Sequence, residues 1–141
     1  MVSIAPAADA KSIDLDVTSN GTRVIRTDPV RFDQIVLNLL SNAIRHSPAG
    51  RPVRISMESM GDIMRVCVAD HGPGVVPELR ERIFEPFERF DPHSGLGTGL
   101  GLPVSRRLAE VLGGQLWMEE TTGGGATFIL ELPMKPSSPN L

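Results

Sequence analysis

The residues best suited to chemistry are two asparagines four positions apart, Asn38 and Asn42, in an otherwise apolar stretch of helical character. Positions i and i+4 share one face of a helix, so the two amides are expected side by side, with Arg45 and His46 one turn further on. A lone asparagine is more often solvent-facing or a hydrogen-bonded core residue than a functional one. Two neutral amides beside a cation on one apolar helix instead predict a site for phosphate and a metal ion.

A second candidate site is the stretch Asp70-His-Gly-Pro-Gly74, which directly follows a strand-like alternation of apolar residues. A carboxylate at a strand end, beside glycines that lack a Cβ, can approach a planar ligand closely. Asp70 would accept a hydrogen bond from an exocyclic amine such as that of adenine, and would repel the carbonyl oxygen at the same place in guanine. This chemistry predicts ATP over GTP, although for this motif alone an ordinary turn containing Asp is the better explanation.

The third candidate is the glycine-rich stretch at residues 95–103. Its backbone amides are unobstructed, and the helix predicted to begin just after it points its positive end the same way, which suits a polyphosphate. The spacing is not that of the dinucleotide fingerprint GxGxxG, because the third glycine falls one residue early. A flexible linker would explain the glycines, but not Leu100 and Leu102 between and after them.

Composition narrows the class of protein. A chain of 141 residues fits one compact domain. The net charge of −3, with both signs scattered along the chain, provides no basic stripe for nucleic acid. The two lysines lie near the ends and no GK[ST] sequence occurs, so a Walker-type phosphate loop is excluded.

The single cysteine and the distribution of apolar residues add further limits. Cys67 cannot form a disulfide framework or a zinc cluster, and its place in an alternating run predicts core packing and not a nucleophile. No apolar run approaches the roughly 20 residues of a membrane helix, and the N-terminus lacks the pattern of a signal peptide. We therefore expect a cytoplasmic domain without membrane contact of its own, although the parent protein could be anchored to a membrane.

The elements that would position these residues follow from periodicity and turn residues. Residues 13–17 and 23–26 are predicted as a β-hairpin around Asn20-Gly21. Asp28 as N-cap and Pro29 at the first helical position begin a helix that ends near Ser47. The remaining predicted elements are a hairpin of residues 53–58 and 63–69, helical character over 77–85, a loop over 89–101, a helix over 102–112 and strands over 115–120 and 126–132.

Hairpins with helices between them predict an α+β, two-layer sandwich, in which about three helices cover one face of a mixed, mostly antiparallel sheet. We expect residues 13–133 to form the domain. Residues 1–12 are predicted to be a disordered lead-in and residues 134–141 a disordered tail.

The motifs together resemble the catalytic and ATP-binding domain of sensor histidine kinases, in the wider group that includes Hsp90, gyrase B and MutL. The resemblance covers residues 28–133 and implies the Bergerat ATP-binding fold. Any one motif could be chance, but the full set in order and at the right spacing could hardly be. Residues 38–46 are similar to the N box, 70–74 to the G1 box, 84–87 to the F box, 97–102 to the G2 box, and 125–128 with 132–133 to the closing motif.

The resemblance implies a role for each residue of the helix. Asn42 would ligate Mg²⁺ through its side-chain oxygen, and Asn38 would support the ion or its water. Arg45 stands in place of the more usual lysine at the phosphates, and these three residues form the implied catalytic set. His46 lies where an aromatic ring normally approaches the nucleotide.

For the base, the resemblance implies that Asp70 accepts the adenine amine, that Gly72 and Gly74 let the base approach, and that Thr127 reaches adenine through water. Phe84 and Phe87 would pack under a lid that covers the phosphates, Phe87 completing the nucleotide-binding set. The lid and its hinge would contain Gly97, Thr98, Gly99, Leu100, Gly101 and Leu102.

The implied function is transfer of the γ-phosphate of ATP, with Mg²⁺, to a histidine on a dimerisation and phosphoacceptor domain, in cis or in trans, and through it to a response regulator. Relatives that hydrolyse ATP carry a glutamate where this chain has Asn38, and an amide cannot take a proton from water. The histidines His46, His71 and His93 are all interpreted as non-acceptors, and the isolated domain is expected to be monomeric. Two alternatives stay open: an anti-sigma-factor-type serine kinase of the same fold, and a non-catalytic nucleotide-sensing module.

Overall fold

The computed structural model describes residues 27–85, 101–121 and 123–133, together with the backbone of residues 15–20. Within these ranges the chain forms five strands, two α-helices and two short 3₁₀ turns. Their bounds are β1 Leu15–Asn20, α1 Pro29–His46, β2 Val53–Met60, β3 Ile63–Ala69, the 3₁₀ turns Pro77–Leu79 and Arg82–Phe84, α2 Gly101–Val111, β4 Gln115–Glu120 and β5 Ala126–Pro133.

The five strands form one sheet in the order β1-β2-β3-β5-β4. β1 runs parallel to β2, and each of the other neighbouring pairs is antiparallel. The predicted hairpin of β2 and β3 is confirmed, with Met60 paired to Ile63 across a turn in which Gly61 has a φ of 63°. The α+β class and the mixed, mostly antiparallel sheet are therefore confirmed.

Two predicted elements differ from the structure. β1 runs on through Asn20, where a turn was expected, and it pairs in parallel with β2, Leu15 lying opposite Val53. Residues 21–26, which hold the rest of the predicted hairpin, lie outside the described residues. The predicted helix over 77–85 is a pair of 3₁₀ turns with i to i+3 bonds, because neither Val76 nor Glu81 supplies a side-chain cap for a longer helix.

Helix α1 begins and ends as the sequence predicts. The Asp28 carboxylate accepts hydrogen bonds from the backbone nitrogens of Val30 at 2.9 Å and Arg31 at 3.2 Å, which satisfies two otherwise unpaired donors of the first turn. Pro29 occupies the first turn, where its missing N–H costs nothing. The buried face of this helix carries Ile35, Val36, Leu39, Leu40, Asn42, Ala43 and Ile44.

Both helices lie against one face of the sheet, and the core forms between the two layers. On β3 this face presents Val66 and Val68, which are almost fully buried. Cys67 alternates with them and therefore lies on the opposite face, half-buried, so the prediction that it packs in the core is wrong. Burial raises the pKa of the Cys67 thiol, in spite of a hydrogen bond with Ser56 that lowers it, and the thiol stays protonated at neutral pH.

Among the described residues, neither α1 nor α2 is long and apolar enough to span a membrane.

Candidate functional site

The C-terminal end of α1 lies directly against the loop that follows β3. A Cβ built on Gly72 would lie 2.3 Å from the carbonyl oxygen of His46, where ordinary contacts begin at 3.4 Å. Only glycine therefore allows this loop to approach the helix so closely. The contact joins the predicted N box to the predicted G1 box.

Asp70 lies at the end of β3 and is only 2% exposed. Its Oδ1 accepts hydrogen bonds from the backbone nitrogens of Gly72 at 2.9 Å and Ala126 at 3.0 Å. Its own N–H donates to the Ala126 carbonyl at 2.9 Å, which ties it to β5. Among the described residues none donates to Oδ2, so one oxygen of a buried carboxylate is left to accept a hydrogen bond from a ligand.

The turn before β5 closes over the backbone of Asp70. Gly125 has a φ of 107°, and a Cβ built there would lie 2.2 Å from the Asp70 carbonyl oxygen. The sequence predicts a turn at glycines 123–125, and neither Gly125 nor Ala126 is among the predicted site residues. The available signal was the position of Gly125 at the start of the closing motif, opposite a strand that ends in a carboxylate.

Asn42 is 7% exposed on the buried side of α1. Its Oδ1 accepts a hydrogen bond from Nη2 of Arg45 at 3.3 Å. Its backbone carbonyl lies 2.8 Å from Nδ1 of His46, and this nitrogen must donate because a carbonyl oxygen only accepts. The three residues therefore stand together at the last turns of the helix, as the spacing predicted.

Asn38 connects α1 to the first turns of α2. Its Nδ2 donates to Oγ of Ser105 at 3.0 Å and approaches the carbonyl oxygen of Gly101 at 3.4 Å, while its Oδ1 accepts from Nε2 of Gln34 at 3.1 Å. Sequence reasoning missed Ser105, which is fully buried. The signal was a small polar residue four positions after Gly101, on the helix face that packs inward.

An open cleft of about 460 Å³ lies where the C-terminal end of α1 meets the loop that follows β3. Its lining includes Gly72 but not Asp70 or Asn42, so the cleft forms the rim of the site. His71 in the rim is held in place, because its Nδ1 donates to the Pro52 carbonyl at 2.7 Å. The lining consists of Arg45, His46, Ser47, Pro48, His71, Gly72 and Pro73.

The segment predicted as the F box packs against both layers of the domain. The Phe84 ring meets Phe128 of β5 edge to face, with centroids 6.1 Å apart, and the guanidinium of Arg106 lies 3.9 Å above its centroid. Arg106 also forms an ion pair with Glu81 at 2.9 Å and donates to the Leu116 carbonyl. The hydrogen bond with Arg106 lowers the pKa of Glu81.

Thr127 is the predicted site residue that the structure separates from the others. Asp70 lies opposite Ala126 on β5, and cross-strand neighbours point to the same face of a sheet. Thr127 follows Ala126 and points to the other face, where its hydroxyl lies 2.9 Å from that of Thr121. The prediction that Thr127 reaches adenine through water is therefore wrong in its geometry, and Ala126 takes the place beside Asp70.

Of the remaining predicted site residues, some lie within the described ranges and others lie outside them. Gly101 and Leu102 form the start of α2, and Gly74, with a φ of 74°, approaches the Gly125 carbonyl. The predicted residues outside the described ranges are Phe87, Gly97, Thr98, Gly99 and Leu100.

Fold and site together define an α+β sandwich whose polar site lies where the helix layer meets the end of β3. Residues 27–136 match the family described as "Histidine kinase-, DNA gyrase B-, and HSP90-like ATPase", and the chain belongs to this family. The predicted resemblance to the catalytic, ATP-binding domain of sensor histidine kinases is confirmed.

Named relatives and solved structures agree with this assignment. The sensor protein KdpD of Rathayibacter rathayi is 38% identical over 127 residues, which are 89% of this chain and 14% of that protein. The catalytic domain of the histidine kinase ThkA superposes with a TM-score of 0.84 at 32% identity, covering 94% of this chain and 86% of that one. The chain thus matches most of a catalytic domain but only a small part of the length of KdpD.

Two further structures contain a ligand or a partner. Full-length ShkA in complex with AMPPNP gives a TM-score of 0.84 at 34% identity, covering 98% of this chain and 29% of that one. ThkA in complex with the response regulator protein TrrA gives 0.81 at 29% identity, covering 95% and 38%.

Proposed function

We propose that this domain binds Mg·ATP and transfers the γ-phosphate to a histidine supplied by another domain or chain, from which a response regulator receives it. The observation that carries the proposal is the Asp70 carboxylate. One of its oxygens is held by two backbone N–H groups, and no described residue donates to the other. A fixed, buried acceptor of this kind fits the exocyclic amine of adenine, and the AMPPNP bound to ShkA supports an adenine nucleotide as the ligand.

The residues around Asp70 fit a flat base. A Cβ on Gly72 or Gly125 would lie 2.3 Å or 2.2 Å from a backbone oxygen, so glycine at both positions lets the chain pack this closely beside Asp70. The loop and the turn thereby bring the N–H groups of Gly72 and Ala126 to Oδ1 of Asp70, and no described residue donates to Oδ2. Selection of ATP over GTP follows, because a guanine carbonyl would face the same acceptor.

The two asparagines fit a hard divalent cation. Mg²⁺ prefers oxygen ligands, and the side-chain amides of Asn42 and Asn38 each offer a neutral oxygen on α1. When bound, the ion would neutralise phosphate charge in the reaction. Asn42 would hold it, Asn38 would support it or its water, and Arg45 would place a positive charge one turn further on for the phosphates.

Asn38 also favours transfer to a protein over hydrolysis. Its Nδ2 faces α2, and neither end of an amide can accept a proton from water. Phosphoryl transfer needs positioning and charge balance more than bond formation by the protein, so Asn38, Asn42 and Arg45 suffice as the catalytic set. We expect the isolated domain to hydrolyse ATP very slowly.

We further propose that the acceptor histidine comes from a dimeric phosphoacceptor domain, in cis or in trans. The ring nitrogens Nδ1 of His46 and His71 donate to backbone carbonyls, which supports a structural use for both rings. The ThkA complex with TrrA supports a response regulator as the next partner. An ATP-dependent domain of this kind belongs on the cytoplasmic side, and we expect it to be monomeric by itself.

The test is a phosphotransfer assay with γ-labelled ATP, Mg²⁺ and the phosphoacceptor domain of a related sensor kinase. The proposal predicts label on the acceptor in a linkage that is labile in acid and stable in alkali, as a phosphohistidine is. Asn42→Ala should abolish the label, and an acceptor without its histidine should stay unlabelled. Acid-stable label on an anti-sigma-antagonist partner would instead identify a serine kinase, and ATP binding with unchanged partner phosphorylation in Asn42→Ala would favour a nucleotide sensor.

A further inference from the structure

We infer that Ser105 is a positioning residue for the metal site, because it fixes the Asn38 amide with its carbonyl oxygen turned away from α2. The inference rests on the proposed function and assigns a role to a residue outside the predicted motifs. Ser105 is fully buried in α2, and its Oγ accepts from Nδ2 of Asn38 at 3.0 Å.

The orientation of the Asn38 amide follows from two acceptors on α2. The Ser105 hydroxyl can rotate to donate or to accept, but the Gly101 carbonyl, 3.4 Å from the amide, can only accept. An amide turned by half a rotation would place its oxygen against that carbonyl and would repel it. Gly101 therefore sets the direction of the amide, and Ser105 supplies the shorter of the two hydrogen bonds that hold it there.

The oxygen of Asn38 is left on the other side, where its contact is replaceable. Nε2 of Gln34 donates to it at 3.1 Å, and Gln34 is an exposed side chain one turn earlier on α1. Glutamine can rotate into water and exchange this hydrogen bond for one to solvent. A cation that uses the Asn38 oxygen would therefore compete with Gln34 and would be assisted by Ser105.

This arrangement predicts effects of different sign for the two neighbours of Asn38. Removing the Ser105 hydroxyl should weaken the contribution of Mg²⁺ to nucleotide binding, because the amide loses the shorter of its two hydrogen bonds to α2 and is held less firmly. Removing the Gln34 amide should leave that contribution unchanged or increase it. A role for Ser105 in packing alone would weaken binding equally with and without the ion.

The experiment measures the dissociation constant of ATP in excess Mg²⁺ and in excess EDTA for the wild type, Ser105→Ala and Gln34→Ala. We expect the ratio of the ATP dissociation constant in EDTA to that in Mg²⁺ to fall about two- to tenfold in Ser105→Ala. This change corresponds to the free energy of one lost hydrogen bond. The ratio in Gln34→Ala should equal or exceed that of the wild type. In an Asn38→Ala background, Ser105→Ala should no longer change the ratio.

An unchanged ratio in Ser105→Ala would overturn the inference, and an equal loss of affinity in both conditions is one such result. Failure of the proposed function would look different, because the wild type itself would then bind no ATP in either condition. Cooperative thermal unfolding of each variant establishes that it is folded.

A measurement on the wild type covers the case in which Ser105→Ala does not fold. In NMR spectra the side-chain amide protons of Asn38 and Gln34 can be followed while Mg²⁺ is added to the nucleotide-bound domain. We expect the Gln34 resonances to move to positions typical of solvent, whereas those of Asn38 keep the shift of a hydrogen-bonded amide. Movement of the Asn38 protons to solvent-like shifts, or no response from Gln34, would contradict the inference.

Discussion

Replacing Gly72 by alanine should damage both stability and nucleotide binding, because this residue brings the Asp70 loop against the end of α1. Its φ is not in the left-handed region, so the substitution costs no backbone strain of that kind. The cost is steric, since the new Cβ would lie 2.3 Å from the His46 carbonyl oxygen, and ordinary contacts begin at 3.4 Å. The loop or the helix end must therefore move by about 1 Å, a shift at the scale of tightly packed interiors.

The magnitude follows from overpacking and from the ligand hydrogen bond. A forced shift of this kind costs about 1–3 kcal/mol of unfolding free energy. The Gly72 N–H also holds Oδ1 of Asp70 at 2.9 Å, so the same movement turns the carboxylate. Loss of a well-placed hydrogen bond to a charged group is worth roughly 1.5–3 kcal/mol, and ATP affinity should fall by at least about tenfold.

Gly61→Ala is the matched control. Gly61 has a φ of 63° and nothing within 4 Å of a built Cβ, so alanine there meets backbone strain without a clash. We expect a loss of roughly 1 kcal/mol in stability and unchanged ATP affinity, because the β2–β3 turn is not part of the site. Unfolding in urea, followed by the fluorescence of Trp117, the one tryptophan of the sequence, measures the stability, and calorimetry measures the affinity.

Wild-type stability and affinity in Gly72→Ala would refute the close contact between loop and helix. A loss of stability with unchanged affinity would show that the contact is structural and that Asp70 does not depend on it. An equal loss of affinity in Gly61→Ala would show that any destabilisation weakens binding, and that Gly72 has no specific role in holding Asp70.

Three further predictions concern residues outside the site. Asp28→Ala removes the cap of α1 and should lower the unfolding free energy by about 1 kcal/mol in urea, whereas Asp28→Asn should keep most of it. The contact with Arg106 lowers the pKa of Glu81, so the stability that this ion pair contributes is present above the unfolded-state pKa and is lost as the pH falls through the lower folded-state pKa. The melting temperatures of the wild type and Glu81→Gln should therefore converge as the pH is lowered. A difference that stays constant with pH would contradict this. Because burial raises the pKa of Cys67, Ellman's reagent should react slowly with the native protein at about pH 8 and rapidly in urea, and equal rates would contradict the burial.

Elements that depend on local signals could be predicted from the sequence. The Asp28 cap and Pro29 marked the start of α1, and Gly61 marked the turn between β2 and β3, because these residues act on neighbours only a few positions away. The pairing of β1 could not be predicted in this way. Its parallel partner, β2, lies beyond a whole helix, and no residue of β1 encodes that distance.

The same distinction applies to the site. The i, i+4 spacing placed Asn38 and Asn42 on one face of α1, and the chemistry of a strand-end carboxylate singled out Asp70. The face to which Thr127 points depends on the register between β3 and β5, which one sequence does not reveal. Ser105 was missed for a related reason, because its partner Asn38 is 67 residues away in the chain.

The most direct test of the central claim is a titration of ATP and GTP, each with Mg²⁺, against the wild type and Asp70→Asn. If Asp70 accepts the adenine amine, the wild type should bind ATP at least about tenfold more tightly than GTP, the value of one hydrogen bond to a charged group together with the unfavourable pairing of two acceptors. Asp70→Asn should lose most of its ATP affinity and with it the preference between the two bases. Comparable affinity of the wild type for GTP, or an Asp70→Asn variant that binds ATP as well as the wild type, would contradict the account.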